Sequence, residues 1–469
     1  MTHAAAATRD GASFRDPSGF VFRRDGVLYR QVAARHAAHY RRAVDSGLYV
    51  DLAREGLLVA QEEVGLEHAA APGAVAVLRP EPLPFVSHPY EWGFAQLRAA
   101  ALLTLRVQIE ALARGMTLKD ASAYNVQFVG HRAVFIDHLS FEVYEPGRPW
   151  VAYRQFCEHF VAPLALAAHG DVRWLALLRS WLEGVPLDFA SRALPWRTRL
   201  RPGLFAHLHL HARYQRAHAD DARAPAEAGR AARARVSERG MQGLVASLES
   251  TVRGLALALP TTAWGDYYAD TNYDDAAFAA KRAAVAGAID GVQPRLVFDL
   301  GANTGVFTRL ASERGAYAVA FDVDAAAVER AYEGAVERRD ERLLPLRLDL
   351  ANPSPDQGFA HDERASLASR GPADLVLALA LVHHLAIGAN VPLDRIAAYF
   401  ARLGRALVVE FVPKSDSQVA RMLATREDVF PDYARAPFEA AFAPWFAIES
   451  ATAIEGSERV LYRMTRRAG

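Results

Sequence analysis

The run Leu296-Val297-Phe298-Asp299-Leu300-Gly301-Ala302-Asn303-Thr304-Gly305 constrains the fold more than any other stretch of this 469-residue chain. Apolar residues lead without interruption into an acid, then a glycine, and four positions later a second glycine. The pattern predicts a strand of the doubly buried kind found in parallel sheets, ending in a tight loop that feeds a helix. Glycines there allow backbone angles that a β-carbon forbids and let main chain approach a ligand closely. Asn303, between them, tolerates left-handed angles better than most residues. Asp299 is placed to hydrogen-bond a cationic or hydroxylated group over the loop. Several kinds of nucleotide binder use such turns, so the loop alone leaves the ligand open.

The downstream residues repeat the motif of a strand ending in an acid. Ala316 to Phe321 reads as a second strand running into Asp322-Val323-Asp324, and a carboxylate there can accept from both vicinal hydroxyls of a ribose. Asp324 is placed to cap a helix beginning at Ala325-Ala326-Ala327. Leu343 to Leu348 predicts a third strand, ending at Asp349. Asp374 to Leu381 predicts a fourth, running into Val382-His383-His384-Leu385, and Ala406 to Glu410 a fifth, followed by Phe411-Val412-Pro413-Lys414. Two further strand-like runs, Trp445 to Ile454 and Arg459 to Met464, flank the turn signal Glu455-Gly456-Ser457-Glu458.

Over residues 240 to 469 these features resemble the class I S-adenosylmethionine-dependent methyltransferases. The resemblance implies a Rossmann-like α/β domain of seven strands, with a closing antiparallel hairpin in place of another parallel strand. It implies S-adenosylmethionine as cofactor, held by Asp299, Gly301, Asn303 and Gly305, with Asp322 on the ribose and Asp349 at the adenine amino group. Asn303 departs from the middle glycine of many members. The resemblance also sets His383 and His384 facing the methyl group and its acceptor. A base is needed only if the acceptor must lose a proton; either histidine would serve, with Glu410 as the next candidate. Each residue has a plainer reading too. The histidines could be hydrogen-bonded to backbone, Asp349 could open the turn into Asn352-Pro353, and Lys414 could be a solvated loop lysine.

The N-terminal half carries a different pattern. Lys119-Asp120-Ala121-Ser122-Ala123-Tyr124-Asn125 leads into Val126-Gln127-Phe128, a turn at Gly130-His131-Arg132, and Ala133-Val134-Phe135-Ile136-Asp137. An aspartate, an asparagine five positions on, a hairpin and a second aspartate resemble the catalytic loop of protein-kinase-like phosphotransferases. The resemblance implies an α+β kinase-like domain in which Asp120 accepts a hydroxyl proton while Asn125 and Asp137 hold Mg against ATP. Glu91 to Arg114 predicts the helix delivering that loop, ending near Gly115. Phe20 to Phe22 and Val27 to Gln31, joined across Asp25-Gly26, predict a small-lobe hairpin. The upstream half departs from the family. No glycine-rich phosphate loop is visible, no lysine precedes Lys119, and Arg30 is the one substitute placed on a strand. Arginine forks differently from lysine, so the exchange is not neutral. Three readings compete: an inactive kinase-like binding domain, a working phosphotransferase with an unusual small lobe, and accidental likeness.

The expected organisation is a degenerate kinase-like domain over 1–230 and a methyltransferase domain over 240–469. The boundary falls in the alanine- and arginine-rich stretch from Tyr214 to Gly240, with a packing helix over Met241 to Leu259. Trp264, Tyr267, Tyr268 and Tyr273 read as an aromatic lid or as core. Lys plus Arg and Asp plus Glu stand at 54 each, so the chain as a whole exerts no long-range pull on nucleic acid or anionic membrane, which leaves only a local patch. The single Cys157 excludes an intramolecular disulfide framework and fits a reducing cytoplasm. The most apolar stretch, Asp374 to Val391, is interrupted by two histidines and a glycine, and no membrane span is expected. The expected activity is methyl transfer to a small-molecule or peptide acceptor. The alternatives are a bifunctional phosphotransferase/methyltransferase and a non-catalytic nucleotide-binding regulatory protein.

Overall fold

Asp25 and Gly26 both take left-handed angles (φ 52° and 77°), the combination a two-residue hairpin turn requires. They join β2 (Gly19–Arg24) to β3 (Val27–Ala33) in the hairpin the sequence predicts, and the register sets Phe22 opposite Tyr29. With β1 (Thr8–Arg9), β4 (Gln61–Val64) and β5 (Ala74–Pro80) they form an antiparallel sheet ordered β1-β2-β3-β5-β4. The protein is seen here as a computed structural model that describes residues 7–214, 236–258, 275–424 and 427–467.

A helix over Phe94–Leu112 follows the sheet, shorter at its front than the predicted Glu91 to Arg114. Pro89–Glu91 forms its own 3-10 turn, and Gly93 then starts the helix, its N–H donating to the Gln96 side chain at 2.9 Å. Gly115, at φ 70°, turns the chain out of the helical end. Buried Gln108 accepts from the Leu118 N–H at 2.7 Å and so ties the helix to β6 (Met116–Leu118). β6 pairs with β9 (Phe141–Val143), and β7 (Val126–Val129) pairs with β8 (Arg132–Phe135). The helical remainder begins at Tyr153–Phe156 and passes through a π turn into Ala162–His169.

The division of the chain differs from the one expected. Met1–Phe128, Ala133–Ala258 and Gly358–Arg364 make one unit; Val129–Arg132, Leu259–Gln357 and Ala365–Gly469 make the other. The helix Glu238–Arg253 buries Met241, Val245, Leu248 and Val252 and packs on Phe94–Leu112, so it belongs to the first unit. A helical apolar stripe reads the same whichever neighbour covers it, which is why a boundary near 240 falls early. Most of the Tyr214–Gly240 stretch, and the aromatic group from Trp264 to Tyr273, lie outside the described residues.

In the second unit β10 (Leu296–Leu300), β11 (Tyr317–Asp322), β12 (Leu343–Arg347), β13 (Ala373–Ala378) and β14 (Gly404–Phe411) are parallel, and β15 (Phe446–Ala453) and β16 (Val460–Arg466) close the sheet. The order is β12-β11-β10-β13-β14-β16-β15, with β16 antiparallel to both neighbours. This is the five-plus-hairpin, seven-stranded α/β sheet the sequence predicts. Val297, Leu375, Leu377 and Val408 build its core with Val285 and Ile289 of the helix Asp275–Val292. Reversal of strand order beside β10 opens a crevice at the carboxyl ends of the strands, where open α/β sheets bind ligands. Among the described residues no helix is long and apolar enough to cross a membrane.

Candidate functional site

A cavity of about 390 Å³ lies at the carboxyl ends of β10 to β13. Asp299, Gly301, Asn303, Asp322, Asp349 and His384 all line it, which brings together six of the residues singled out from the sequence. Gly305 does not line it; at φ 76° it caps the following helix, Val306–Ser312, so its role is in the turn. Gly301 sits at φ 73°, and a β-carbon there would come 3.2 Å from Leu381 Cδ1, another wall residue. Asn303, at φ 51°, takes the left-handed conformation its identity allows.

The two deep carboxyls are held differently. Asp299 is buried, and its Oδ2 accepts from the Thr308 hydroxyl at 2.6 Å. Burial, reinforced by the charge of Asp322, pushes its carboxyl up to about 7 against the pull of the Thr308 hydrogen bond. Asp322 accepts from the Asn303 N–H at 2.7 Å and the Asp324 N–H at 2.8 Å; burial raises its carboxyl too. The Val323 N–H bonds the same carboxyl, and its remaining lone-pair capacity is open to a ligand hydroxyl. Asp324 caps Ala325–Arg338 by accepting from the Ala326 and Ala327 N–H groups, as expected. Asp349 is exposed and accepts from the Ala351 N–H at 2.9 Å, so it both shapes the turn and faces the cavity.

The histidine pair divides. His384 lines the cavity, whereas His383 is buried behind the wall with no hydrogen-bond partner on Nδ1. Their rings stand 4.2 Å apart. Burial lowers both, His383 well below the ordinary histidine value with His384, Arg459 and Lys281 adding to the effect. β13 stops at Ala378, short of the predicted Leu381, and Ala380 in the cavity wall is forced to φ 48° as the chain turns.

Glu410 does not line the cavity and is not a free base. Its Oε2 accepts from Lys281 Nζ at 2.6 Å and its Oε1 lies 3.4 Å from Arg459, whose Nε reaches Asp416 at 2.8 Å. Lys281, from the helix preceding the glycine loop, is buried and forms part of the cavity wall. No local signal marks it: a lone lysine in an alanine-rich helix reads as solvated, and its partner lies 129 positions away.

Chemically, the donor set fits S-adenosylmethionine. Asp299 suits the α-ammonium, Asp322 the ribose diol, and the space above Gly301 is one that a β-carbon would narrow. Asp349 stands at the rim beside the apolar Leu348 and Leu350.

The first unit holds the other predicted constellation, and there its members are engaged with one another. Arg30 of β3 forms an ion pair with Asp137, whose two oxygens also accept from the Leu139 N–H at 3.1 Å and the Ser140 hydroxyl at 2.5 Å. Burial opposes ionisation of Asp137, but Arg30 and Ser140 hold it below the usual carboxylate range. Asn125 donates to Ser140 at 3.1 Å, and Asp120 accepts from the Ser122 N–H at 2.9 Å. Lys119 turns to Asp16 and Ser18. Arg30 is thus the cation that faces the Asp137 carboxylate, with Asn125 turned to the same Ser140 hydroxyl. Among the described residues no group of three or more His, Cys, Asp or Glu could hold a metal ion.

No protein-family model matches the chain. The nodulation protein NoeA of Rhizobium meliloti (strain 1021) is 38% identical to it over 475 residues, covering 98% of each chain. The chain belongs to the NoeA family. Among solved structures it is similar to WbdD, a bifunctional kinase-methyltransferase, at 14% identity and TM-score 0.31, over 43% of this chain and 42% of that one. Magnesium protoporphyrin IX methyltransferase from Synechocystis PCC 6803, with bound SAH, matches at 19% and 0.31 over 44% of this chain and 93% of that one. N-methyltransferase NodS from Bradyrhizobium japonicum WM9 matches at 10% and 0.31 over 42% of this chain and 99% of that one.

Proposed function

We propose that the second unit is an S-adenosylmethionine-dependent methyltransferase acting on a small-molecule or peptide acceptor. The observation that carries this reading is the placement of Asp299 and Asp322 in one cavity above a left-handed glycine loop. Asp299 takes the amino-acid cation, Asp322 the ribose hydroxyls and Asp349 the adenine amino group. When bound, the cofactor supplies an electrophilic methyl on its sulfonium. The chain's contribution is then alignment and a dry, preorganised surrounding. His384, neutral through burial and facing the cavity, accepts the acceptor's proton where one must leave; His383 behind it holds its ring in place. Calorimetric titration of the full chain with S-adenosylmethionine and with its demethylated product tests the reading. Saturable binding of both supports it, and no heat with either overturns it.

For the first unit the reading is a degenerate kinase-like domain that does not turn over ATP. Its support is the Arg30–Asp137 ion pair, which fills the carboxylate a metal would need. A phosphoryl-transfer site contributes mainly positioning and charge, and this one lacks the small-lobe lysine, the glycine-rich loop and an open metal ligand.

A further inference from the structure

The end of the first unit's helical part carries a surface that nothing in the methyl-transfer reading uses. A 3-10 turn over Trp196–Leu200 leads through Pro202–Leu204 into a π-helical turn over Phe205–Leu210. Its inner side is locked. Thr198 is buried and bonds His209 Nε2 at 2.9 Å; the other ring nitrogen bonds Ser191 at 2.9 Å. His207 is likewise fixed between Tyr153 and Ser247, both at 2.8 Å. Leu204 and Leu208 complete the inward face. The outward side is therefore held rigidly, and it is apolar: Trp196 is 73% exposed, Leu200 71%, Leu210 49% and Phe205 46%.

Single exposed apolar side chains are ordinary, but four large exposed ones within fifteen residues call for a covering surface. Arginines interleave with them. Arg197, Arg199, Arg201 and Arg213 are all exposed, and none makes an ion pair among the described residues. From Trp196 to Tyr214 the sequence has no acid at all. An overall charge balance of zero thus conceals one local cationic, aromatic and aliphatic face.

We propose that this face docks the protein on the surface of an anionic lipid bilayer. Trp196 suits the interface, where its ring is buried and its N–H stays wet. Leu200, Phe205 and Leu210 reach the acyl boundary, and the arginines extend to lipid phosphates with their stems on the apolar patch. Aliphatic leucines distinguish this surface from a single-strand nucleic-acid site, in which bases stack on aromatic rings and leucine offers no π-face. The protein rests on the membrane without spanning it.

The test is vesicle flotation of the full chain. Vesicles of phosphatidylcholine with one part in four phosphatidylglycerol are compared with phosphatidylcholine alone, at low and high salt. Binding to the anionic vesicles, weakened by salt, is expected. Arg197→Glu with Arg199→Glu should lower partitioning by at least roughly thirtyfold, since each basic residue near such a surface contributes about a fivefold factor. Trp196→Ser with Leu200→Ser should lower it while leaving the response to salt in place. All four positions are exposed, so circular dichroism and S-adenosylmethionine affinity should match the parent. No flotation of the parent overturns the proposal, as does flotation unchanged in both double variants. Tighter binding to poly(U) than to anionic vesicles assigns the face to nucleic acid and also overturns it. A dimer in sedimentation that the Trp196/Leu200 variant dissolves overturns it in favour of a second copy.

Discussion

Asp299 and Asp322 end adjacent parallel strands and face one cavity, and the charge of Asp322 adds to burial in pushing the Asp299 carboxyl up to about 7. Two acids so placed repel one another in the free protein. A ligand that brings a cation to Asp299 relieves that repulsion.

On the proposed reading, Asp322→Ala removes the partner of the ribose hydroxyls. A hydrogen bond to a charged group is worth about 1.5–3 kcal/mol, so S-adenosylmethionine affinity should drop on the order of tenfold to a hundredfold by calorimetry. Asp322 also accepts from the Asn303 and Asp324 N–H groups, so Asp322→Asn is the gentler companion. Parent-like affinity in both folded variants would sink the cofactor assignment.

The raised Asp299 carboxyl sets two opposite pH trends. The cofactor's ammonium requires the ionised form, so affinity should rise between about pH 6 and pH 8, with a proton released on binding that appears as buffer-dependent heat. Stability runs the other way for this group. Its folded value lies above its unfolded one, so its contribution is complete below the unfolded value and is lost as pH rises through about 7. Asp299→Asn should flatten both trends. Affinity that is flat in the parent across this range would remove Asp299 from the ligand set.

Glu410→Ala leaves Lys281 and Arg459 buried without their shared anion. Breaking a buried pair in this way costs about 3–5 kcal/mol, to be read from urea unfolding. Lys281→Met should cost less, because Glu410 keeps Arg459 and the methylene stem is replaced in kind. Equal losses in the two would mean that Arg459 does not share the carboxylate as the geometry indicates.

How much of this site could be read beforehand follows from how local each signal is. The strand into Asp299, the Asp324 cap and the Asp25-Gly26 corner each depend on residues within a few positions, and all three stand in the structure where the sequence placed them. The Lys281–Glu410 and Arg30–Asp137 pairs span 129 and 107 positions, and nothing periodic announces them. Only the folded chain brings such partners together. Glu410 illustrates the difference: its place at the end of β14 was legible, but its two cations were not, and they change its role from candidate base to structural anchor.

His384 and His383 should separate in kinetics as they do in space. His384→Ala should lower transfer of tritiated methyl into a metabolite extract by roughly 10²–10⁴-fold with cofactor affinity kept, if the acceptor loses a proton. His383→Ala should chiefly lower thermal stability, since it empties a buried volume behind the wall. Equal transfer by the parent and both variants would move the pair to a purely structural role.

The last expectation concerns Arg30. With both Asp137 oxygens engaged by Arg30, Ser140 and the Leu139 N–H, the parent chain should neither bind Mn²⁺ at that carboxylate nor hydrolyse radiolabelled ATP with magnesium. Arg30→Ala withdraws the internal cation and leaves the Asp137 charge in a buried place, where a divalent ion becomes its natural replacement. Mn²⁺ binding, followed by the loss of its free-ion magnetic resonance signal, should therefore appear in Arg30→Ala and vanish again in Arg30→Ala with Asp137→Asn. ATP turnover should stay absent in all three, because freeing one carboxylate restores neither a phosphate-gripping lysine nor a glycine-rich loop. Label transfer by the parent that is lost in Asp120→Asn would reverse this reading and make the chain an enzyme with two activities.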